Sequence, residues 1–243
     1  MGSGGGLFGS VILAAGIALA GFFVSQGFMG ARLADRFVTV KGISEREVRA
    51  DVAIWPLRVV ASDNDLARAH AQIEASLTQI RAFLARHEID TATAQVSGFS
   101  VSDAQANQYG GSGDRGNRFV INQTLVVRSN EPQKVMDASA KVGELVAAGV
   151  VLSSGGEYGG GGPTFIFTGL NDLKPAMIAE ATARAREAAE QFARDSKSRI
   201  DGIRRANQGT FEILARDRAQ GITEEGQLAK TVRVVSTVDY NLE

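Results

Sequence analysis

The sequence predicts an α+β body behind a single N-terminal transmembrane helix. Three observations carry that expectation. Leu7–Met29 (LFGSVILAAGIALAGFFVSQGFM) holds no charged residue. Val48–Thr168 alternates β-type and helical periodicity in the order βαββαβ, a split-βαβ arrangement. A long helix and two further antiparallel strands follow, so helices should pack on one face of antiparallel sheet.

At ~1.5 Å of rise per residue, a helix over Leu7–Met29 reaches roughly 34 Å, enough for a ~30 Å hydrocarbon layer. A cleaved signal peptide has a basic start, an apolar core of ~7–15 residues and a small-x-small cleavage site. Here residues 1–6 form a tail without Lys or Arg, the apolar run is longer, and Ala31-Arg32-Leu33-Ala34 is a poor cleavage site. The expectation is an uncleaved single-pass anchor over residues 7–30, with membrane lipid as its partner. A run that is apolar on all sides suits lipid better than the core of a small body. Gly5 with Gly9, and Gly16 with Ala20, keep the small-xxx-small spacing that lets helices approach in lipid. Arg32, Arg36 and Lys41 follow the run and nothing positive precedes it, so the positive-inside rule alone puts the body in the cytoplasm.

The chain has 243 residues, and subtracting the anchor leaves residues 36–243 as one large domain or two small ones. The sub-regions expected are 36–60 plus 170–243, and 61–169. Hydrophobic residues at 44% are enough for a core, and a net charge of -1 argues against a dedicated nucleic-acid binder. The chain has no Cys, which excludes disulfides, thiol nucleophiles and Cys-ligated metals and fits either side of a membrane.

Arg36–Gly42 reads as a short strand, Glu45-Arg46 as a turn and Val48–Val60 as a longer strand. Val48, Ala50, Val52 and Ile54 share one face of it. The phase then shifts to Trp55, Leu57 and Val59, and Pro56 at the shift predicts a bulge or a sheet edge. Ser62 is the expected N-cap of a helix whose stripe is Leu66, Ala69, Ile73, Leu77, Ile80 and Leu84, ending at His87–Asp90. Thr93–Val101 is a strand. Asp103–Asn117 is a polar, Gly-rich hairpin tip. Arg118–Arg128 returns as a strand with Phe119, Ile121, Gln123, Leu125 and Val127 on one face. Pro132 opens a second helix with Val135, Ala138, Val142 and Leu145 inward and Gly149 as its stop. Val150–Leu152 and Thr164–Thr168 are β-type. Asn171 is the expected cap of an Ala-rich helix running to about Arg199, with Leu173, Met177, Ala181, Ala188 and Phe192 as its core stripe. Arg184, Arg186, Glu187, Glu190 and Arg194 fall elsewhere and pair along the helix. Thr210–Leu214 is a strand, Ala215–Ala229 a loop, and Thr231–Leu242 a strand with Val232, Val234, Ser236, Val238, Tyr240 and Leu242 on one face.

Four stretches resemble the SIMPL-domain family, the YggE-type bacterial envelope proteins. VTVKGISEREVRADVAIWPLRV, from Val38 to Val59, is similar to the family's I-T-V-x-G start. RFVINQTLVVR, from Arg118 to Arg128, is similar to its G-Y-x-A-x-N-x-V-x-V strand. The Ala- and Arg-rich run Ala176–Arg194 and the closing strand ending in Val238-Asp239-Tyr240-Asn241-Leu242-Glu243 complete the likeness, which covers nearly all of the body. Ala50 stands where the family has Pro, Arg118-Phe119 where it has Gly-Tyr, and Ser198–Gly209 departs from its common A-G-x-x-L-G-x-V. The resemblance implies an exported or membrane-anchored envelope protein that assembles into rings or cages, with links to envelope or oxidative stress. It supplies no catalytic motif.

The residues name no active site either. His70 and His87 lie over four helical turns apart and cannot share a metal, so both are expected as exposed helix histidines. The Gly155–Gly162 run lacks the Lys-Ser/Thr and following helix of a phosphate loop. Ser153 and Ser154 have no G-x-S-x-G context. Arg199, Arg204, Arg205, Arg216 and Arg218 make a basic zone, but Asp201, Glu212, Asp217, Glu224 and Glu225 interleave with it, as on a mixed solvated surface. Trp55, Phe99, Phe119, Phe165 and Phe167 are expected in the core; any left on a strand edge would be an oligomer contact.

The functional expectation is a non-enzymatic, single-pass protein of the bacterial inner membrane. Its body would be periplasmic and self-associating, with no nucleic acid and no catalytic, cofactor or metal residue to name. The alternative is a ligand- or peptide-binding periplasmic module, which a concave pocket with convergent polar groups would favour.

Overall fold

The computed structural model describes residues 13–25, 36–105, 117–153, 155–156, 159–160 and 162–243. Residues 13–25 form helix α1, exposed along its length. The rest of Leu7–Met29 lies outside the described residues, as do Gly5, Gly9 and most of the expected hairpin tip. Among the described residues no helix is long and apolar enough to cross a membrane.

The body is a mixed α and β structure with antiparallel sheets. Its elements run β1 (Phe37–Arg49), β2 (Val52–Asp63), α2 (Leu66–Arg86), β3 (Gln95–Asp103), β4 (Phe119–Ser129), α3 (Pro132–Ser139) and α4 (Gly143–Ala147). There follow β5 (Gly155–Gly156), β6 (Gly159–Gly160), β7 (Thr164–Ile166), α5 (Leu170–Asp195), β8 (Ile200–Gln208), β9 (Glu212–Ala215) and β10 (Ala229–Leu242). Contacts divide the chain into two units. The first holds Met1–Ser44, Pro175–Phe211 and Arg233–Glu243, the second Glu45–Lys174 and Glu212–Val232.

In the second unit the strand order is β3-β4-β2-β7, every pair antiparallel. With α2 after β2 and α3–α4 after β4, this is the split-βαβ arrangement the periodicity predicts. Helix α2 packs chiefly on β2 and β4. Its Ala69, Ile73, Leu77, Ile80, Phe83 and Leu84 are buried against Trp55, Leu57 and Val59 of β2 and Ile121, Leu125 and Val127 of β4. Trp55 and Phe83 meet edge to face at 6.4 Å. Three buried polar atoms of this unit, Trp55 Nε1, His87 Nε2 and Gln123 Oε1, have no hydrogen-bond partner among the described residues.

Pro56 sits at neither a bulge nor a sheet edge but at a local gap in the pairing of an inner strand. The β2–β4 register runs unbroken from Ala53↔Ser129 to Asp63↔Phe119. On the other side β7 pairs only Val52–Ile54. Farther along that side, Val60 donates to Val151 O at 3.0 Å and Arg58 O accepts from Ser153 at 2.9 Å. Strand alternation then points the Pro56 nitrogen to the same side, into the gap between the two pairings, where no donor is needed.

Several expected boundaries move. β1 continues through Glu45-Arg46, where a turn was expected, and the break falls at Ala50-Asp51. Alternation fades there because Glu45, Arg46 and Glu47 are all exposed, so the strand carries no apolar signal at its end. Ser62 belongs to β2; the N-cap of α2 is Asp65, whose carboxylate accepts from Ala67 and Arg68 N–H at 2.8 and 3.1 Å. Leu66 lies outside the buried stripe. The second helix is two short ones separated at Ala140–Val142, with Gly149 at φ +89° just past the end. Helix α5 begins at Leu170, so Asn171 lies in its first turn, where its side-chain oxygen takes the Lys174 ammonium.

In the first unit, β10 pairs β8 antiparallel from Ser236↔Gln208 to Leu242↔Ile200, in a sheet of order β1-β10-β8. The segment that departs from the family pattern, Ser198–Gly209, is mostly strand β8. The buried stripe of α5 is Met177, Ala181, Ala185, Ala189 and Ala193, a strict repeat of four; Ala188 and Phe192 face outward. Small residues win this stripe because β1 comes very close. A Cβ on Gly42 would stand 1.8 Å from Ala181 O and 2.4 Å from Ala185 N. Val38, Val238 and Tyr240 complete that core, and buried Ser44 donates to Glu180 at 2.8 Å.

Candidate functional site

Two surfaces of the second unit stand out, an uncovered strand and a polar cleft. β3 is the last strand of its sheet. Val96 and Val101 pair with Leu125 and Ile121, both inward-facing, so they point to the helix-covered side. Between them the register slips by one residue, from Ser97↔Thr124 to Ser100↔Asn122, across Gly98 at φ +62° and Phe99. This bulge needs the left-handed conformation that glycine supplies without cost. Because α2 packs on β2 and β4, the apolar side of β3 stays open: Phe99 is 54% exposed, Val96 44% and Val101 43%. Phe99 and Val101 line a groove of about 590 Å³ with Leu66, Ala67, His70 and Ile121. Gln95–Ser102 contains no charged residue, although edge strands are usually protected by charge.

The second surface is a cleft of about 870 Å³ between the end of β1, α3 and the segment 216–229. Glu47, Arg49, Gln133, Arg216, Asp217 and Gln227 bring polar groups to it, above Val48, Met136, Ile222 and Leu228. Arg49 donates to Gln133 Oε1 at 2.9 Å. Arg216 holds Asp217 at 2.8 Å and keeps its carboxyl below the usual carboxylate range. The Arg216 guanidinium is raised in turn by that bond, with a smaller contribution from Glu47. Gln227 fastens the segment to itself, donating to Asp217 O at 2.7 Å and accepting from Asp217 N–H at 3.2 Å. Lys230 at the start of β10 is fully buried, and its ammonium is taken by Glu224 through both the backbone and the carboxylate.

The other singled-out residues do not converge on either surface as a reactive set. His70 is exposed and rims the apolar groove. His87 is not exposed as expected: it caps α2, half-buried, with its ring 4.5 Å from that of Phe83 and its Nε2 3.7 Å from Glu144. Among the described residues no group of three His, Cys, Asp or Glu could hold a metal. Gly155–Gly156 and Gly159–Gly160 pair as a two-stranded ladder, whereas Ser154, Glu157, Tyr158 and Gly161 lie outside the described residues. Arg204 lies over the Phe37 ring at 4.5 Å. Trp55 and Phe165 are core, as expected, but Phe99 is not. Glu47, Arg49, Gln133 and Met136 carried no signal in the sequence beyond two opposite charges two residues apart.

The family model SIMPL, described as a protein of unknown function (DUF541), matches residues 38–240. The chain belongs to the SIMPL family. No curated protein matches it. Among solved structures, the crystal structure of an uncharacterized conserved protein from Listeria innocua matches at 14% identity, covering 79% of this chain and 91% of that one. Its TM-score is 0.20, so the likeness carries no argument here.

Proposed function

We propose that this chain is a non-enzymatic envelope protein, tethered to the bacterial inner membrane through Leu7–Met29, whose bodies assemble side by side in the periplasm as a ring or cage. The observation that carries the reading is β3, a terminal strand without charge from Gln95 to Ser102, with Val96, Phe99 and Val101 left open. A second copy is the fitting occupant. Tethers hold copies in one plane and raise their effective concentration toward each other, and the family resemblance implies such assemblies. The tether reading is supported by the uncharged run and by exposed Leu13, Ile17, Phe22, Phe23 and Val24 on α1. A role in envelope or oxidative stress follows the resemblance alone.

Native mass measurement and electron microscopy of the full chain in mild detergent test the assembly, and a strictly monomeric particle overturns it. A reporter fused after Glu243 tests the orientation, on which the flanking charges and the resemblance disagree. The cleft beside Arg49 favours a second reading, a ligand- or peptide-binding module.

A further inference from the structure

We infer that the cleft beside Arg49 binds a small zwitterion, of the class of short peptides with free ends and apolar side chains. This rests on the binding-module reading and is independent of assembly. The cleft's volume, about 870 Å³, falls among small-ligand sites. One wall is already fixed. Ala50 N–H bonds Leu228 O at 2.8 Å, Phe165 N–H bonds Glu225 O at 2.8 Å, and buried Lys230 holds Glu224 O at 2.7 Å. A wall held in advance costs little ordering when a ligand arrives.

Within the cleft, hydrogen-bonding capacity is unevenly committed. Arg216 is engaged by Asp217. Arg49 gives one bond to Gln133 and has no carboxylate partner among the described residues. A guanidinium has donors to spare and suits a carboxylate bidentately. Glu47 accepts no hydrogen bond among the described residues and acts on Arg216 only through its charge. Glu47 and Arg49 are two apart on β1, so they leave the same face of the strand roughly 7 Å apart. Long side chains adapt that spacing to the two ends of a di- or tripeptide. Arg49 takes the carboxylate, Glu47 the ammonium, and Met136, Ile222 and Leu228 receive an apolar side chain. The four ionised lining residues balance, so a ligand with a single charge leaves Glu47 or Arg49 unmatched.

The test is calorimetric titration of the full chain in mild detergent with trileucine, N-acetyl-trileucine and trileucine amide. Trileucine is expected to saturate with Kd between about 10 µM and 1 mM, and each blocked form to bind at least about tenfold more weakly. Arg49→Gln is expected to abolish discrimination against the amide, and Glu47→Gln discrimination against the acetylated form. These ratios are the readout because a loosened fold weakens all three ligands together. Equal binding of free and blocked forms overturns the zwitterion assignment and leaves the module reading standing. No saturation by any form up to about 10 mM overturns both.

Discussion

Asp51 shows how one side chain can join distant stretches. It lies in the break between β1 and β2, and its carboxylate accepts the Thr168 N–H at 2.9 Å and the Thr168 hydroxyl at 2.8 Å. That fixes the turn out of β7 just ahead of α5. Asp51→Ala is expected to cost ~1.5–3 kcal/mol, the worth of hydrogen bonds to a charged group, in urea denaturation. Asp51→Asn should retain part of this. Asp63 acts locally and through pH. The backbone N–H of Asp65, and then the Arg68 guanidinium, hold its carboxyl below the usual carboxylate range. A carboxyl with a depressed folded pKa contributes stability above its unfolded value, ~3.9, and that contribution is lost as pH falls through the folded pKa. Thermal unfolding of Asp63→Asn followed from pH 7 downward should therefore start lower than the parent and converge on it below about pH 4. Parallel curves would show that Asp63 is not the group titrating.

At the scale of elements, legibility followed burial. Helix α2 and strands β4 and β10 have one buried face each, and their spacing could be read directly: every second residue of β10 from Lys230 to Tyr240 is buried. β8 could not be read, because its exposed residues carry no alternation and its place comes from backbone pairing with β10. The stripe of α5 was misphased for a related reason. Phe192 is core by type, but it lies off the buried stripe and is exposed, and β1 comes so close at Ala181 and Ala185 that the stripe there is alanine. Gly42 is the other half of that contact. Gly42→Ala, which any β-propensity argument would favour, is expected to cost ~1–3 kcal/mol by overpacking against Ala181 and Ala185. Chemical denaturation checks it, and an unchanged midpoint would mean that the helix can retreat freely. The cleft was illegible for another reason: its walls come from β1, α3 and a loop before β10, and no local pattern links them.

For the whole molecule, the open side of β3 links fold to proposed assembly. A split-βαβ sheet has four strands, and here α2 lies over the inner two. The outer strand keeps an apolar face that the monomer does not cover. Natural sheets usually protect such an edge with charge or a bulge. This one has the bulge at Gly98 but no charge from Gln95 to Ser102, and Phe99 beside the bulge stays exposed. Phe99→Glu puts a charge where a second copy must pack, and it removes nothing from the monomer's core. The expected outcome is a shift of the native mass to single subunits with an unfolding temperature close to that of the dissociated parent. Val127→Ala serves as the contrast: Val127 is fully buried, so this variant should lose ~1–3 kcal/mol of stability and still assemble. Particles of unchanged size in the Phe99→Glu variant would assign assembly to another strand edge and take β3 out of the account.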